Sequence, residues 1–581
     1  MTKPPLKRRA GVLIALFAVH SKNSLGIGDF SDLKLITDWC KETGNSIIQL
    51  LPLNEVGQLF CPYDSVSSFA IEPAYLPIAP ATAKDLRKSY PADSLFVNYQ
   101  IKKEKLRLLK AEFNSLGSRN AQEINVFLSV NSYWLPDFAL YKALKEHHDG
   151  KAWFDWEEKF KLRDKQALCD FSADFDAKIR FEIWLQWKLF RQLKDVREYA
   201  AKKGILLKGD LPILVSRDSA DVWQHQEYFK LGFAAGAPPD MYCAKGQRWG
   251  MPTYSWDKIK ADGYCYIKEK LKYAQNFYDI IRLDHAVGLF RIWSIPYNEP
   301  LENQGLNGFF DPQDESIWRA QGRELLQIMQ GSTDMVLCAE DLGVIPQSCT
   351  DTLAEMGIPG NDVQRWVKDW RVRHDFLPPG EYRELSVATL STHDTTNWKA
   401  WWQYEAGTID EDLFIRKCNS KGIDFLEVKE KLFDPSRSCH GRLRWLDSVD
   451  SADKLAAILG RKKEEVADLL DLYLNSFQEK EKLCNLLGCA GAMNEVASPE
   501  LLSRAIKLTM DSRSVFCIQS IRDLLSLADI FKGDPYQFRV NVPGTISEKN
   551  WSMRLPISFE DLLRHKINKQ IRKMIEDSGR L

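Results

Sequence analysis

Eight short, almost wholly apolar runs recur along the chain: Val12 to Ala18, Ile47 to Leu51, Ile205 to Lys208, Ile280 to Leu283, Val336 to Ala339, roughly Asp362 to Trp366, Val387 to Thr392 and Val515 to Ile518. Helical patterns lie between them, among them Leu33 to Glu42, Lys178 to Lys202, Tyr266 to Phe277, Ser316 to Gln330 and Leu501 to Thr509. A run that is apolar on both sides of its pleat must be covered on both faces, the condition of a parallel sheet flanked by helices. The alternation predicts an α/β protein, and a (β/α)8 TIM barrel ahead of an open doubly wound sheet. Acidic residues decide between the two. Asp210, Asp284, Glu340 and Asp394 close the third, fourth, fifth and seventh runs, and a closed ring brings all four around one centre.

Two stretches break the alternation. The expected catalytic barrel spans residues 10–581, with an insertion subdomain at 81–177 after the second run and a helical insertion subdomain at 405–499 after the seventh. A loop that follows a parallel strand leaves at the C-terminal face, where barrel active sites lie, so both insertions should form cleft walls. The last segment, Phe559 to Glu576, reads as one basic amphipathic helix packed on the barrel rather than on a membrane.

Charge bounds the partner. With 79 basic and 80 acidic residues in 581, nothing draws the chain to nucleic acid or to an anionic membrane. The closest of its twelve cysteines, Cys484 and Cys489, are too far apart for a C-x-x-C metal or redox clip, and all twelve read as reduced thiols of a cytoplasmic protein. Lys3, Lys7, Arg8 and Arg9 before the apolar run Val12 to Val19 imitate a signal peptide, but no small-x-small cleavage site follows. That run leads instead into GIGDFSDLKLITDWCKETG, a glycine-containing loop and a helix entered at Ser31 or Asp32. No stretch is apolar for the roughly 18 residues of a membrane span.

The chemistry centres on IIRLDHAVGLF, Ile280 to Phe290. Arg282 and Asp284 alternate at the mouth of a buried strand and point to one side, so the guanidinium can hold the carboxylate ionised. Asp284 and Glu340 end sequential runs, and neighbouring strands lie about 4.8 Å apart. That suits the separation of about 5 to 5.5 Å at which one carboxylate attacks a sugar and the other protonates the leaving oxygen. The charge on Asp284 should raise the pKa of Glu340, and Asp394 should face both from across the ring, bonding sugar hydroxyls. Aromatic residues gather nearby: Tyr63 after the second run, and Trp249, Tyr254 and Trp256 on a loop after the third. Trp256 and Trp398 read as core, whereas Trp249, flanked by Gly246, Arg248 and Gly250, reads as a sugar platform.

The ordered stretches GIGDF, LLPL, PYDSVSSFA, GDLPI, PPDMYCAKGQRWG, RLDHAVG, AEDLG, THD and NVPGT, from residue 26 to residue 545, resemble the 4-alpha-glucanotransferases called amylomaltases or disproportionating enzymes. The resemblance implies a retaining barrel enzyme with Asp284 as nucleophile, Glu340 as acid/base and Asp394 as transition-state stabiliser. It adds Tyr63, Asp210, Arg282 and His393 at the reacting sugar, and Asp240, Gln247 and Trp249 on a loop that screens the cleft from water. The implied substrates are 1,4-alpha-glucans (maltose, maltodextrins, glycogen or starch) with glucose as an acceptor, and neither metal nor cofactor is expected. Four positions depart from the family pattern the resemblance implies. Glu72 stands for the usual asparagine, Ala286-Val287 for an aromatic-basic pair, and Met241 for a tyrosine. RLDHAVGLFRIW and WGMPTYSW are more similar to the plant cytosolic enzymes, which favour maltose and branched glucan, so the resemblance leaves the donor and acceptor preference open while implying the same reaction.

Two other readings use the same residues. Water as acceptor gives an alpha-amylase-like retaining hydrolase, and the outcome turns on how well the loops exclude water. A metal-dependent barrel lyase or isomerase would instead hold a divalent cation with Asp284, Glu340, His285 and His393.

Overall fold

Eight parallel strands form one sheet, in the computed structural model that describes residues 4–57, 59–117, 119–240, 243–489 and 494–581. They are β1 (Arg9–Ile14), β2 (Ile47–Leu50), β3 (Leu206–Leu211), β4 (Ile280–Leu283), β5 (Val336–Ala339), β6 (Gly360–Val363), β7 (Ser386–Thr389) and β8 (Phe516–Ser520). Their order is β5-β4-β3-β2-β1-β8-β7-β6, every neighbour parallel. The Ala339 N–H donates to the carbonyl of Pro359, just before β6, at 2.8 Å and draws the two ends together. The sheet is a nearly closed TIM barrel. All residues of β2, β4, β5, β7 and β8 are buried, as runs covered on both faces must be.

β4 and β5 coincide with the expected runs, while others shift for local reasons. The first strand starts earlier, and Leu16–Ala18 forms a buried 3-10 turn rather than continuing it. β6 ends at Val363 and gives way to a 3-10 turn at Gln364–Trp366. β3 continues through Leu211, so Asp210 lies inside the strand and not at its end.

Helices cover the barrel where the apolar periodicity placed them. α1 (Phe30–Thr43) begins earlier than expected, because Asp29 rather than Ser31 caps it. The Asp29 carboxylate accepts the Ser31 N–H at 2.8 Å while Asp32 accepts the Asp29 N–H at 2.9 Å, a reciprocal box that satisfies two of the helix's free donors. The terminal segment is two helices, Phe559–Leu563 and Ile567–Asp577, not one. Ile567, Ile571 and Ile575 face inward, and Asn568 accepts the indole N–H of Trp39 in α1 at 2.9 Å.

Between β2 and β3 the chain adds helices Gln100–Ser115, Ala121–Val130, Leu135–His147 and Lys165–Asp174, whose Leu109, Phe138, Leu144 and Phe171 join the barrel's own core. Between β7 and β8 it adds a short antiparallel pair, Thr408–Asp410 with Arg442–Arg444, and helices such as Glu411–Ser420 and Ala467–Ser476. Phe414, Leu432, Trp445, Leu469 and Tyr473 form a second core there, apart from the barrel's. No helix among the described residues is long and apolar enough to cross a membrane.

Candidate active site

A cleft of about 2630 Å³ opens over the C-terminal ends of the strands, and Tyr63, Asp240, Gln247, Trp249, Arg282, Asp284, Glu340, His393 and Asp394 all line it. Register explains why the central residues meet. Leu283 on β4 pairs with Ala339 on β5, so the next residues, Asp284 and Glu340, leave the two strands side by side. One position earlier in β4, Arg282 pairs with Asp210 on β3.

Arg282 is the hub. Its Nη1 donates to both oxygens of Asp210, at 2.7 and 2.8 Å, and to Oδ1 of Asp284 at 2.9 Å, while Nη2 stands 4.0 Å from Oε2 of Glu340. Tyr63 donates its hydroxyl to Asp210 at 2.8 Å. Asp210 does not line the cleft. It is 4 % exposed and sits beneath Arg282 and Tyr63, a consequence of lying within β3 rather than at its tip.

The carboxylates differ in their surroundings. Burial raises the Asp284 carboxyl to about 6 against the opposing charge of Arg282, and the charge on Asp210 adds to the rise. Arg282 favours the ionised form of Asp284, as expected, but the guanidinium is shared with Asp210 and burial is the larger cause. Burial likewise pushes Glu340 up to about 7, with Arg282 opposing and the Asp284 charge reinforcing. The expected repulsion from Asp284 is thus present, though smaller than the effect of burial. The backbone N–H of His285 donates to Oε2 of Glu340 at 2.7 Å. Asp394 goes the other way: burial works against its charge, but His393 at 3.2 Å and a 2.8 Å bond from Asn541 overcome it and hold the carboxyl at about 2.

Aromatic rings frame the site. Tyr63 stacks on His393 with centroids 5.1 Å apart, and Trp551 leans on both. Trp249 meets the His285 ring edge-on at 4.8 Å and donates its indole N–H to Gln247 at 3.0 Å. Asp240 accepts the Cys243 N–H at 2.7 Å. Tyr254 is removed from the cleft. It is buried against Phe229, Trp256 and Tyr266, so of the aromatics on that loop it does not reach the cleft. Trp398 is fully buried and Trp256 packs against the core.

Asn541, Arg539 and Trp551 escaped the sequence reading as site residues, although NVPGT, which begins at Asn541, was among the matching stretches. Glu72 is fully buried and takes a 2.8 Å ion pair from Lys102, a residue of the segment between β2 and β3, which neutralises its charge. Met241 lies outside the described residues. Among the described residues, no three His, Cys, Asp or Glu side chains assemble as a metal-binding set, and the acidic groups proposed for one are engaged by Arg282 and by the His285 N–H.

Comparison with known proteins agrees with this geometry. The family model described as 4-alpha-glucanotransferase (glycoside hydrolase 77) matches residues 14–559. The chain is 33 % identical over 583 aligned residues to the 4-alpha-glucanotransferase of Chlamydia pneumoniae, covering 97 % of this chain and 95 % of that one. It is 24 % identical to 4-alpha-glucanotransferase DPE2 of Oryza sativa subsp. japonica, across 99 % of this chain and 70 % of the rice protein. The amylomaltase from Streptococcus agalactiae, solved in complex with acarbose, superposes with a TM-score of 0.72 at 22 % identity, over 99 % of this chain and 100 % of that one, and shares its fold. Taken with the barrel and its acidic strand ends, the match over nearly the whole length shows that this chain belongs to the 4-alpha-glucanotransferase family.

Proposed function

We propose that this chain is a 4-alpha-glucanotransferase that moves a segment of a 1,4-alpha-glucan onto the 4-hydroxyl of glucose or of another 1,4-alpha-glucan, by retaining double displacement. The observation that carries the residue roles is the side-by-side exit of Asp284 and Glu340 from neighbouring strands, one bonded by Arg282 and the other kept protonated near neutrality by burial. Asp284 attacks C1 of the donor sugar while Glu340 gives its proton to the departing glycosidic oxygen, leaving a glycosyl ester on Asp284. Glu340, now ionised, takes the proton of an acceptor 4-hydroxyl, whose oxygen attacks C1 and releases Asp284. One glycosidic bond is broken and one made, and the proton returns to Glu340.

Asp394, held ionised, bonds the hydroxyls of the reacting sugar and stabilises the developing oxocarbenium charge. Tyr63 and His393 offer that sugar a stacked wall, and Asp240, Gln247 and Trp249 cover it on the acceptor side. Asp210 acts one layer below, fixing Arg282 and Tyr63. The segments at 81–177 and 405–499 are insertion subdomains forming two cleft walls, a reading supported by Phe96 to Gln100 and by Asp410, His440 and Glu479 among the lining residues. Substrates are maltose, maltodextrins and glycogen or starch, with glucose as an acceptor. Twelve free cysteines fit a cytoplasmic setting.

Purified maltotriose tests the assignment. A ladder of longer maltodextrins together with glucose is expected. Glucose and maltose alone would make the protein a hydrolase.

A further inference from the structure

His440 occupies the tip of a two-residue turn in the segment between β7 and β8, where the chain doubles back from Cys439 to Arg442 as a small hairpin. Cys439 and Arg442 exchange backbone hydrogen bonds at 2.9 and 3.1 Å, with His440 at φ +55° and Gly441 at φ +70° between them. Both central positions of such a turn need positive φ, which glycine and asparagine supply more readily than histidine. The side chain of this exposed residue nevertheless lies flat on Tyr536, with ring centroids 3.7 Å apart and planes at 7°. Tyr404 stands edge-on to both rings.

Tyr536 begins a segment that ends at Asp394. Its hydroxyl accepts a bond from Arg539 Nη1 at 3.4 Å, and the Nη2 of the same guanidinium donates to the Asp394 carbonyl at 3.2 Å. Arg539 Nε donates to the Asn541 carbonyl at 3.2 Å, and Asn541 donates its side-chain amide to Oδ1 of Asp394 at 2.8 Å. Both the backbone and the carboxylate of Asp394 are therefore held from one short stretch, and the outer end of that stretch is stacked against the hairpin tip.

We propose that His440 is a positioning residue for Asp394, acting through the Tyr536 ring on the segment whose Arg539 and Asn541 fix the carboxylate. The inference rests on the reading of Asp394 as the transition-state stabiliser. It gives the segment between β7 and β8 a part in the chemistry beyond lining the cleft. A displaced Asp394 still meets bound sugar but is misaligned when charge develops at C1, so the loss falls on kcat rather than on KM.

Two substitutions separate this role from a structural one. His440→Asn removes the ring but suits the turn, whereas His440→Phe keeps a ring and strains the turn as histidine does or more. In disproportionation of maltotriose, His440→Asn should lower kcat by about 3- to 30-fold, the range seen when a coupling network is cut, with an unchanged or higher melting temperature. KM should stay within about twofold. His440→Phe should restore most of the lost kcat despite a lower melting temperature. A residue that only stabilises the hairpin would give the reverse order, with Asn the better of the two.

Asp394→Asn serves as the reference. An inactive Asp394→Asn beside a His440→Asn with unaltered kcat would overturn this inference and leave the proposed function standing, and so would a His440→Phe as impaired as His440→Asn. An Asp394→Asn as active as the parent would overturn the reading of Asp394 and this inference together.

Discussion

The backbone N–H of His285 donates to Oε2 of Glu340 at 2.7 Å, so the residue next to Asp284 engages one of the two oxygens of Glu340. Oε2 is committed to accepting that bond, which leaves Oε1 to carry the transferable proton. Glu340→Gln keeps an oxygen for the same N–H and should fold normally. The variant should form the glycosyl-enzyme from donors with good leaving groups, such as an alpha-maltosyl fluoride, yet fail to turn it over. Added azide should restore turnover and give a product of retained alpha configuration by NMR. An inverted product would contradict the double displacement.

The two raised carboxyls set the pH profile. The reaction needs Asp284 ionised and Glu340 protonated, so activity should rise as pH climbs through the lower transition, near about 6, and fall as it climbs through the upper, near about 7. The two transitions belong to the pair and not to either group alone. A narrow bell in kcat/KM is expected, and Glu340→Gln, turned over on a fluoride donor with azide present, should lack its alkaline limb.

Asp210 tests the layer below. Its side chain and that of Arg282 are buried together, and removing one partner of such a pair costs about 3 to 5 kcal/mol. Asp210→Asn also deletes a negative charge that raises the Asp284 carboxyl and frees Arg282 to serve Asp284 alone. Thermal melts should show a large loss of stability. The acid limb of the residual activity should move to lower pH, and an unmoved limb would mean that the two carboxylates are not electrically coupled.

The barrel was legible because its signal is local. Strands covered on both faces must be continuously apolar, and β4 and β5 match the sequence runs residue for residue. Arg282, Asp284 and Glu340 follow from the alternation of side chains and from the adjacency of sequential strands. What was not legible depends on partners far along the chain. Asp210 looks like a strand end until the register shows it facing Arg282, and the raised Asp284 carboxyl depends on burial that no spacing encodes. Asn541 and Arg539 reach Asp394 across about 145 residues of chain, a contact created by the pairing of β7 with β8.

Trp249 offers a test of transfer against hydrolysis. Its ring meets that of His285 edge-on at the cleft and is tethered to Gln247. Trp249→Ala should weaken acceptor binding by about 1 to 2 kcal/mol, the scale of other aromatic contacts, and admit water to the glycosyl-enzyme. The ratio of free reducing sugar to transfer product should rise with little change in melting temperature. An unchanged ratio in a destabilised protein would show Trp249 to be packing only.

The covalent step on Asp284 is the centre of the account, and it can be weighed directly. Glu340→Gln incubated with alpha-maltosyl fluoride in the absence of acceptor should gain the mass of one maltosyl group per chain, and peptide mapping should place that group on Asp284, within Ile280 to Phe290. Addition of azide should then remove it, and Asp284→Asn in the same background should not acquire it. A chain that consumes the fluoride without gaining mass, or that carries the sugar on another residue, would contradict the assignment of Asp284 as the nucleophile.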